Sequence, residues 1–382
     1  MSEPGWPADG AVHRAAAVVD LGAIERNCAR LAAELEGGAA LCAVVKADGY
    51  GHGAVRCARA ALAGGASWLA VAAASEAAEL RSELAAARLL VLGALTPAEL
   101  DLALEVDADV AVWRRGFLEL VRARGRALGR APRVHVKWDT GMGRLGERDP
   151  HAVLGLVEAA AAAEDVELTG LWTHFATADE PGSEFFVTQL ERFVPLADAL
   201  RSAHPDLIVH AANSAATLVK SASHLDMVRC GVAVYGLDPF GVDPLARRLE
   251  PALELRSYVA DVKAFEAGWS AGYGRTWRAP EPTRVGVLPI GYGDGVRRGL
   301  SNNADVLVGG RRRPVVGTIS MDNVTIDLGV APGVEPGAAA VLIGSQGGER
   351  IGAEEVAERL ATINYEVTCG ISPRVPREYV RT

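Results

Sequence analysis

Lysine is nearly absent from this chain. Of its 39 basic residues only four are lysines, at positions 46, 137, 220 and 263, so positive charge is written almost wholly as arginine. No cluster of basic residues is interleaved with aromatics, and the formal net charge is −9, which argues against a nucleic-acid partner. The run Arg311-Arg312-Arg313 is short and isolated and reads as a solvated hairpin tip. Cysteine is scarce and odd in number, with residues at 28, 42, 57, 230 and 369 and no CxxC spacing. That pattern excludes a disulfide framework and a metal site as first expectations, and suits reduced thiols in a cytosolic protein. There is no apolar run of 18 residues, and Met1 to Val19 lacks a basic segment followed by a sufficient apolar stretch. Neither a membrane partner nor export is therefore expected, and the expected location is cytoplasmic. No GxGxxG follows the first strand-like run, which argues against a dinucleotide-binding fold.

What is present is ample core material. Apolar residues make up 49% and charged residues 23% of 382 residues, a length that favours two domains. From residue 20 to about 236, short apolar runs alternate with alanine- and leucine-rich helical stretches. The strand-like runs are Leu41–Lys46, Trp68–Ala72, Leu89–Leu92, Asp109–Trp113, Arg133–Trp138, Leu168–His174, Leu207–Ala211 and Asp226–Cys230. Helical patterns between them include Ser75–Leu84, Ala152–Ala163 and Glu184–Ala203. Such repetition implies right-handed βαβ units, and eight of them predict a closed (β/α)₈ barrel of the TIM type rather than an open sheet. After Pro239 the texture changes to short alternating runs punctuated by Gly and Pro, including Arg284–Pro289, Asp305–Val308, Pro314–Val316, Val324–Leu328 and Ala339–Ile343. Only Ala353–Leu360 reads there as a helix. The expected fold is thus α/β, a barrel over 12–244 followed by a mostly antiparallel β domain over 245–382, with residues 1–11 outside the ordered barrel.

The rare lysines fall where a parallel barrel keeps its chemistry, at the C-terminal ends of strands. Lys46 ends the first apolar run and opens directly into Ala47-Asp48-Gly49-Tyr50-Gly51-His52-Gly53. Unlike arginine, a lysine there can become neutral and form an imine, although a lysine reaching out of a strand end is the plain alternative. Lys137 lies near the end of the fifth run and His174 ends the sixth. Asn213-Ser214 follow the seventh, and Arg229-Cys230-Gly231 close the eighth. The usual phosphate site of a barrel lies after strands seven and eight, here offering Ser214 and the backbone at Gly231 and Val232. A phosphate beside the eighth strand and an imine lysine on the neighbouring first strand define one compact cofactor, pyridoxal 5′-phosphate (PLP).

Motifs spread over almost the whole chain resemble the alanine racemase family. They are Val45–Gly53, His135–Gly146, Thr173–Asp179, Arg229–Gly236, Gly272-Tyr273-Gly274, Ile290–Gly295, Ser320-Met321-Asp322, Asn364-Tyr365-Glu366 and Ile371–Arg377. The resemblance implies that Lys46 carries PLP and acts as one proton-transfer base, with Tyr273 as the other on the opposite face of the substrate Cα. A tyrosine with its free pKa near 10 needs a neighbouring cation or hydrogen bond for that role. His174 and Arg229 are implied to form a hydrogen-bonded chain, with Arg229 facing the pyridine nitrogen. Phosphate contacts are implied for Tyr50, Ser214, Tyr365, Gly231 and Val232, with Asn213 beside them. Arg144 and Met321 are implied to receive the substrate carboxylate, and Tyr292 and Tyr365 to narrow the entrance for alanine. The family's counterpart of Lys137 is often carboxylated on its amine, turning a cation into an anion that holds Arg144; beside Arg144 a plain lysine would clash, so either that modification or a bound anion is expected. The family also implies a homodimer in which the β domain of one chain covers the barrel of the other, and D-alanine made for peptidoglycan.

Two departures stand out: Asp48-Gly49 replaces a common Asn-Ala pair, and Ser320 replaces a common cysteine. The alternatives are a racemase of broader specificity and a non-catalytic PLP-binding protein, which would lack the β domain bearing Tyr273.

Overall fold

A computed structural model describes residues 13–330 and 333–382; the expectation for residues 1–11 lies outside the described residues. The chain forms two compact units, Ile24–Phe240 and the remainder, in which the segment preceding Ile24 joins Gly241–Thr382.

The first unit is the expected closed parallel barrel of eight strands. Numbering begins with β1 (Ala15–Asp20), which precedes it; the barrel strands are β2 (Ala40–Val44), β3 (Trp68–Val71), β4 (Arg88–Val91), β5 (Asp109–Val112), β6 (Arg133–Lys137), β7 (Glu167–Trp172), β8 (Ile208–His210) and β9 (Met227–Cys230). The ring closes through β2 and β9, where Ala40 pairs with Met227 and Cys42 with Arg229. Burial on both faces explains why these strands read as continuous apolar runs rather than as alternation. The intervening helices start on local signals. Thr96 caps Pro97–Glu105 in a capping box with Glu99, and Asp149 caps Pro150–Ala161, each with proline in the first turn.

The second unit is mostly antiparallel. Its larger sheet runs in the order Arg311–Pro314, Asp305–Val308, Ala339–Gln346, β10 (Leu253–Tyr258), β1 and Arg377–Val380, with Glu349–Ile351 paired onto Ala339–Gln346. A smaller sheet joins Asp261–Phe265, Thr283–Leu288 and Val324–Gly329. Strict alternation of buried and half-buried residues in β10 and Val324–Gly329 marks sheets with one covered face.

Several sequence expectations change here. Segment 15–20, counted with the barrel, instead pairs antiparallel with β10 and parallel with Arg377–Val380. The arginine run is not a hairpin tip. It is a strand, the turn before it is Gly309-Gly310, and Arg312 binds Glu349 at 3.2 Å and Glu355 at 2.7 Å. The strand foreseen at Pro314–Val316 is Arg311–Pro314. A second helix, Asn364–Cys369, is too short for its periodicity to register.

Candidate active site

Lys46 stands two residues beyond the end of β2, at the start of a left-handed turn. Ala47 (φ 52°, ψ 52°), Asp48 (φ 52°, ψ 50°) and Gly49 (φ 59°, ψ 46°) lie in that region, as does Tyr50 with φ 53°. Each non-glycine residue there costs about 1–2 kcal/mol. The strain is held by specific partners. Glu76 accepts the Ala47 N–H at 2.6 Å while also accepting the N–H groups of Ala72 and Ala73. Asp48 accepts the Ala54 N–H at 2.8 Å, so this departure from the family motif ties the turn to the next helix. The turn buries Tyr50 against the ring of Tyr235, with centroids 5.1 Å apart.

Gly231, just past β9, lies against that tyrosine. A Cβ at Gly231 would sit 2.3 Å from Tyr50 Oη, so only hydrogen fits. Ser214 Oγ accepts the Gly231 N–H at 3.0 Å and the Ala233 N–H at 3.3 Å. Asn213 caps the helix Ser214–Val219 by accepting the Ala216 N–H at 3.0 Å. Tyr50, Asn213, Ser214, Gly231 and Val232 are thus gathered at one end of the barrel.

Arg229, on β9, is buried, and both of its terminal nitrogens are bonded. Its Nη1 donates to His210 Nδ1 at 2.8 Å; its Nη2 donates to Thr173 O at 2.8 Å and Ala211 O at 3.0 Å, and lies 3.3 Å from His174 Nδ1. Burial lowers its pKa to about 10, which still leaves it charged at neutral pH. Burial, and then the charges of Arg229, Arg144, Lys137 and Lys46, push His174 well below the ordinary histidine value, so its imidazole is neutral.

Lys137 ends β6 with 2% of its surface exposed, its amine 4.0 Å from the centroid of the Trp172 ring. Burial first, then Arg144, Arg229 and Lys46, bring its pKa down to about 7, against the opposing pull of Asp139. Arg144 is exposed on the loop after β6, whose Gly141 and Gly143 N–H groups are gathered by Asp139. Lys46, Lys137, Arg144 and Arg229 form a cationic cluster in which Asp139 is the one opposing charge acting on Lys137. Such a donor set is built for an anionic ligand.

The remaining expected residues belong to the second unit. Tyr292 N–H donates to Ser320 O at 3.0 Å and Gly293 N–H to Met321 O at 2.9 Å, so these two turns are zipped together. Tyr273 follows Gly272, whose Cβ would lie 2.7 Å from Thr318 N, on the same run as Ser320. Tyr273, Met321 and Tyr292 are 73%, 50% and 44% exposed, unusual for side chains of this size. Tyr365 is half-buried on the helix Asn364–Cys369.

Sequence reasoning passed over Glu76 and the buried groups behind Arg229, namely His210, His135 and Asp109. One signal was available: ionisable residues inside fully buried strands, with His135 two positions before Lys137 and therefore on its face of β6.

A closed parallel barrel with Lys46, Lys137 and Arg229 at strand ends, followed by an antiparallel unit with exposed tyrosines, defines a two-unit α/β-barrel enzyme. The profile "Alanine racemase, N-terminal domain" matches residues 19–239 and "Alanine racemase, C-terminal domain" matches 252–379. The alanine racemase of Symbiobacterium thermophilum is 44% identical over 364 residues, covering 95% of this chain and 96% of that one. The structure of alanine racemase from Streptomyces lavendulae superposes with a TM-score of 0.92 at 39% identity, covering 98% of each chain. That of Bacillus anthracis alanine racemase with bound L-Ala-P does so at 0.89 and 36% identity, covering 98% of this chain and 97% of that one. The chain belongs to the alanine racemase family and is an amino-acid racemase.

Proposed function

We propose that the protein interconverts L- and D-alanine with PLP held covalently on Lys46, acts in the cytoplasm as a homodimer with shared sites, and supplies D-alanine for peptidoglycan. The observation that carries this reading is the buried Arg229, held by His210, Thr173 O, Ala211 O and His174 two residues before the Gly231–Ser214 contact. The residues present fit PLP. Its negative charge suits a site that carries Lys46 and Arg229, and Gly231, Tyr50 and Ser214 form a cradle open only to a close approach. When bound, PLP supplies an electron sink that acidifies the Cα–H of an amino acid.

The chain's own groups do the rest. Lys46 Nζ and Tyr273 Oη are the proton-transfer atoms, one for each face of Cα, because inversion needs removal from one side and delivery to the other. His174, neutral, links toward Tyr273. Arg229 offers donors to the ring nitrogen and surrenders no proton, which favours return of the proton to Cα over other outcomes. Tyr50, Asn213, Ser214, Tyr365 and the N–H groups of Gly231 and Val232 hold the cofactor; Arg144 and the Met321 N–H take the substrate carboxylate. Tyr292 and Tyr365 restrict the entrance to a small side chain. The B. anthracis relative solved with L-Ala-P supports an alanine-sized substrate. Lys137 is carboxylated on Nζ, since an amine kept neutral near pH 7 is the form that captures carbon dioxide.

Borohydride treatment of the purified protein should fix a cofactor label on the peptide carrying Lys46, and circular dichroism should show racemisation of both alanine enantiomers, faster than of serine or lysine. A label on Lys137, Lys220 or Lys263, or a preference for serine or lysine, would overturn the reading.

A further inference from the structure

Behind Arg229 a chain of buried polar groups crosses the barrel. His210 Nδ1 faces Arg229 Nη1 at 2.8 Å, His210 Nε2 faces His135 Nδ1 at 2.9 Å, and His135 Nε2 faces Asp109 Oδ2 at 3.1 Å. His135, His210 and Asp109 are each 0% exposed. Asp109 opens β5, at the end of the barrel opposite the Lys46 turn. It also binds Arg133 Nε at 2.6 Å and Arg88 Nη2 at 3.0 Å.

The proton order along this chain is not a free choice. Arginine has only donors, so His210 Nδ1 must accept. Burial, Arg229 and His135 hold His210 well below its ordinary pKa, so it is neutral and its one proton sits on Nε2. His210 therefore donates to His135 Nδ1. A proton on His135 Nδ1 would leave His210 accepting at both nitrogens as an imidazolate. His135 in turn donates from Nε2 to Asp109. Burial would raise the Asp109 carboxyl, but His135, Arg88 and Arg133 bring it down to about 2, so the chain ends on an anion.

The barrel is adapted to this arrangement. A Cβ on Gly170 of β7 would lie 2.2 Å from His135 Nδ1, and the β6–β7 register shifts between Val134 and His135. Trp172 stacks on His210 at 5.7 Å with an interplanar angle of 3°, and Trp68 meets His135 edge-on at 5.7 Å. Both rings are thereby held in one rotamer and shielded from water.

We propose that Asp109 is a positioning residue for the reaction, acting through His135 and His210 to hold the Arg229 guanidinium in a single orientation and to offset its charge from the far end of the barrel. This rests on the function proposed above, in which Arg229 faces the cofactor ring.

Nitrogen NMR of the histidine-labelled protein, prepared without added cofactor, tests the proton order directly. His135 and His210 should both carry hydrogen on Nε2 and a bare, accepting Nδ1. A proton on Nδ1 of either, or an imidazolium at neutral pH, would overturn the proposal. In the PLP-loaded protein, Asp109→Asn should shift the visible absorption band and lower kcat about ten-fold, leaving KM for alanine nearly unchanged. Gly170→Ala, which touches no charge but displaces the His135 ring, should shift the band in the same way. A wild-type band and kcat in both variants would sink the idea. A wild-type protein that takes up no PLP would instead refute the parent reading, while the histidine measurement would still judge the relay.

Discussion

Lys137 is the residue at which burial and charge act most sharply. Its folded-state pKa of about 7 lies below the ordinary 10.5. The unfolded chain therefore binds the extra proton between those values, and stability rises with pH across that window. The penalty is fully present below about pH 7 and fades toward 10.5. In buffer free of carbon dioxide, Lys137→Met should thus melt higher than the parent at pH 6, with the advantage shrinking by pH 10; equal differences at both would contradict a buried amine. The same shift sets when the amine can react. With labelled bicarbonate, a carbamate carbon signal should appear at pH 8 and be lost at pH 6 as the amine protonates. Gly231 makes a second test at this scale. Tyr50 is confined by Tyr235 and has little room to retreat from a new Cβ. Gly231→Ala should weaken PLP binding by about ten-fold, equivalent to ~1.4 kcal/mol, read by titrating the visible band, and should also lower the melting temperature of the cofactor-free protein, because the clash with Tyr50 is present without the cofactor.

Among the elements, the left-handed turn after β2 matters most. Five consecutive residues with positive φ, Ala47 to Gly51, do not persist unless the surroundings over-determine them. Glu76 is the brace, because one carboxylate gathers N–H groups from two separate segments. Glu76→Ala removes the acceptor of all three N–H groups and should lower the unfolding free energy by about 2 kcal/mol in urea. It should also reduce the yield of label on Lys46 under borohydride. Unchanged labelling would mean that the turn holds itself. This element was only half legible beforehand. The glycines after Lys46 announce a tight turn, but nothing local announces a partner almost thirty positions on. The barrel strands were legible to within a residue or two at most of their ends, because burial on both faces leaves an unbroken apolar run. The arginine strand was not, since the partners of Arg312, Glu349 on a short strand and Glu355 on the helix Ala353–Arg359, lie some forty residues on.

For the whole molecule, the two proposed bases lie in different units, Lys46 in the barrel and Tyr273 in the antiparallel unit. A dimer whose subunits exchange units makes two equal composite sites. Mixing Lys46→Ala chains with Tyr273→Phe chains, each nearly inactive, should then restore activity once subunits exchange. One site of each heterodimer regains both bases while the other loses both. No recovery despite demonstrated exchange would show that each chain supplies both bases to its own site.

The sequence by itself determined the barrel and the antiparallel unit that follows it, and offered the candidate site residues. Apolar periodicity, glycine placement and the scarcity of lysine are local properties, and the motifs keep their order along the chain. Tertiary structure alone decided three things. β1 joins the second unit because its pairing partners, β10 and Arg377–Val380, lie more than two hundred residues away. The proton affinity of Lys137 falls because the closed barrel buries its amine and, second, because Arg144, Arg229 and Lys46 act on it. The line from Asp109 to Arg229 exists because closing the barrel stacks inward-facing residues of four strands, β5, β6, β8 and β9. Hydrogen bonds between side chains so far apart in sequence leave no periodic trace in it.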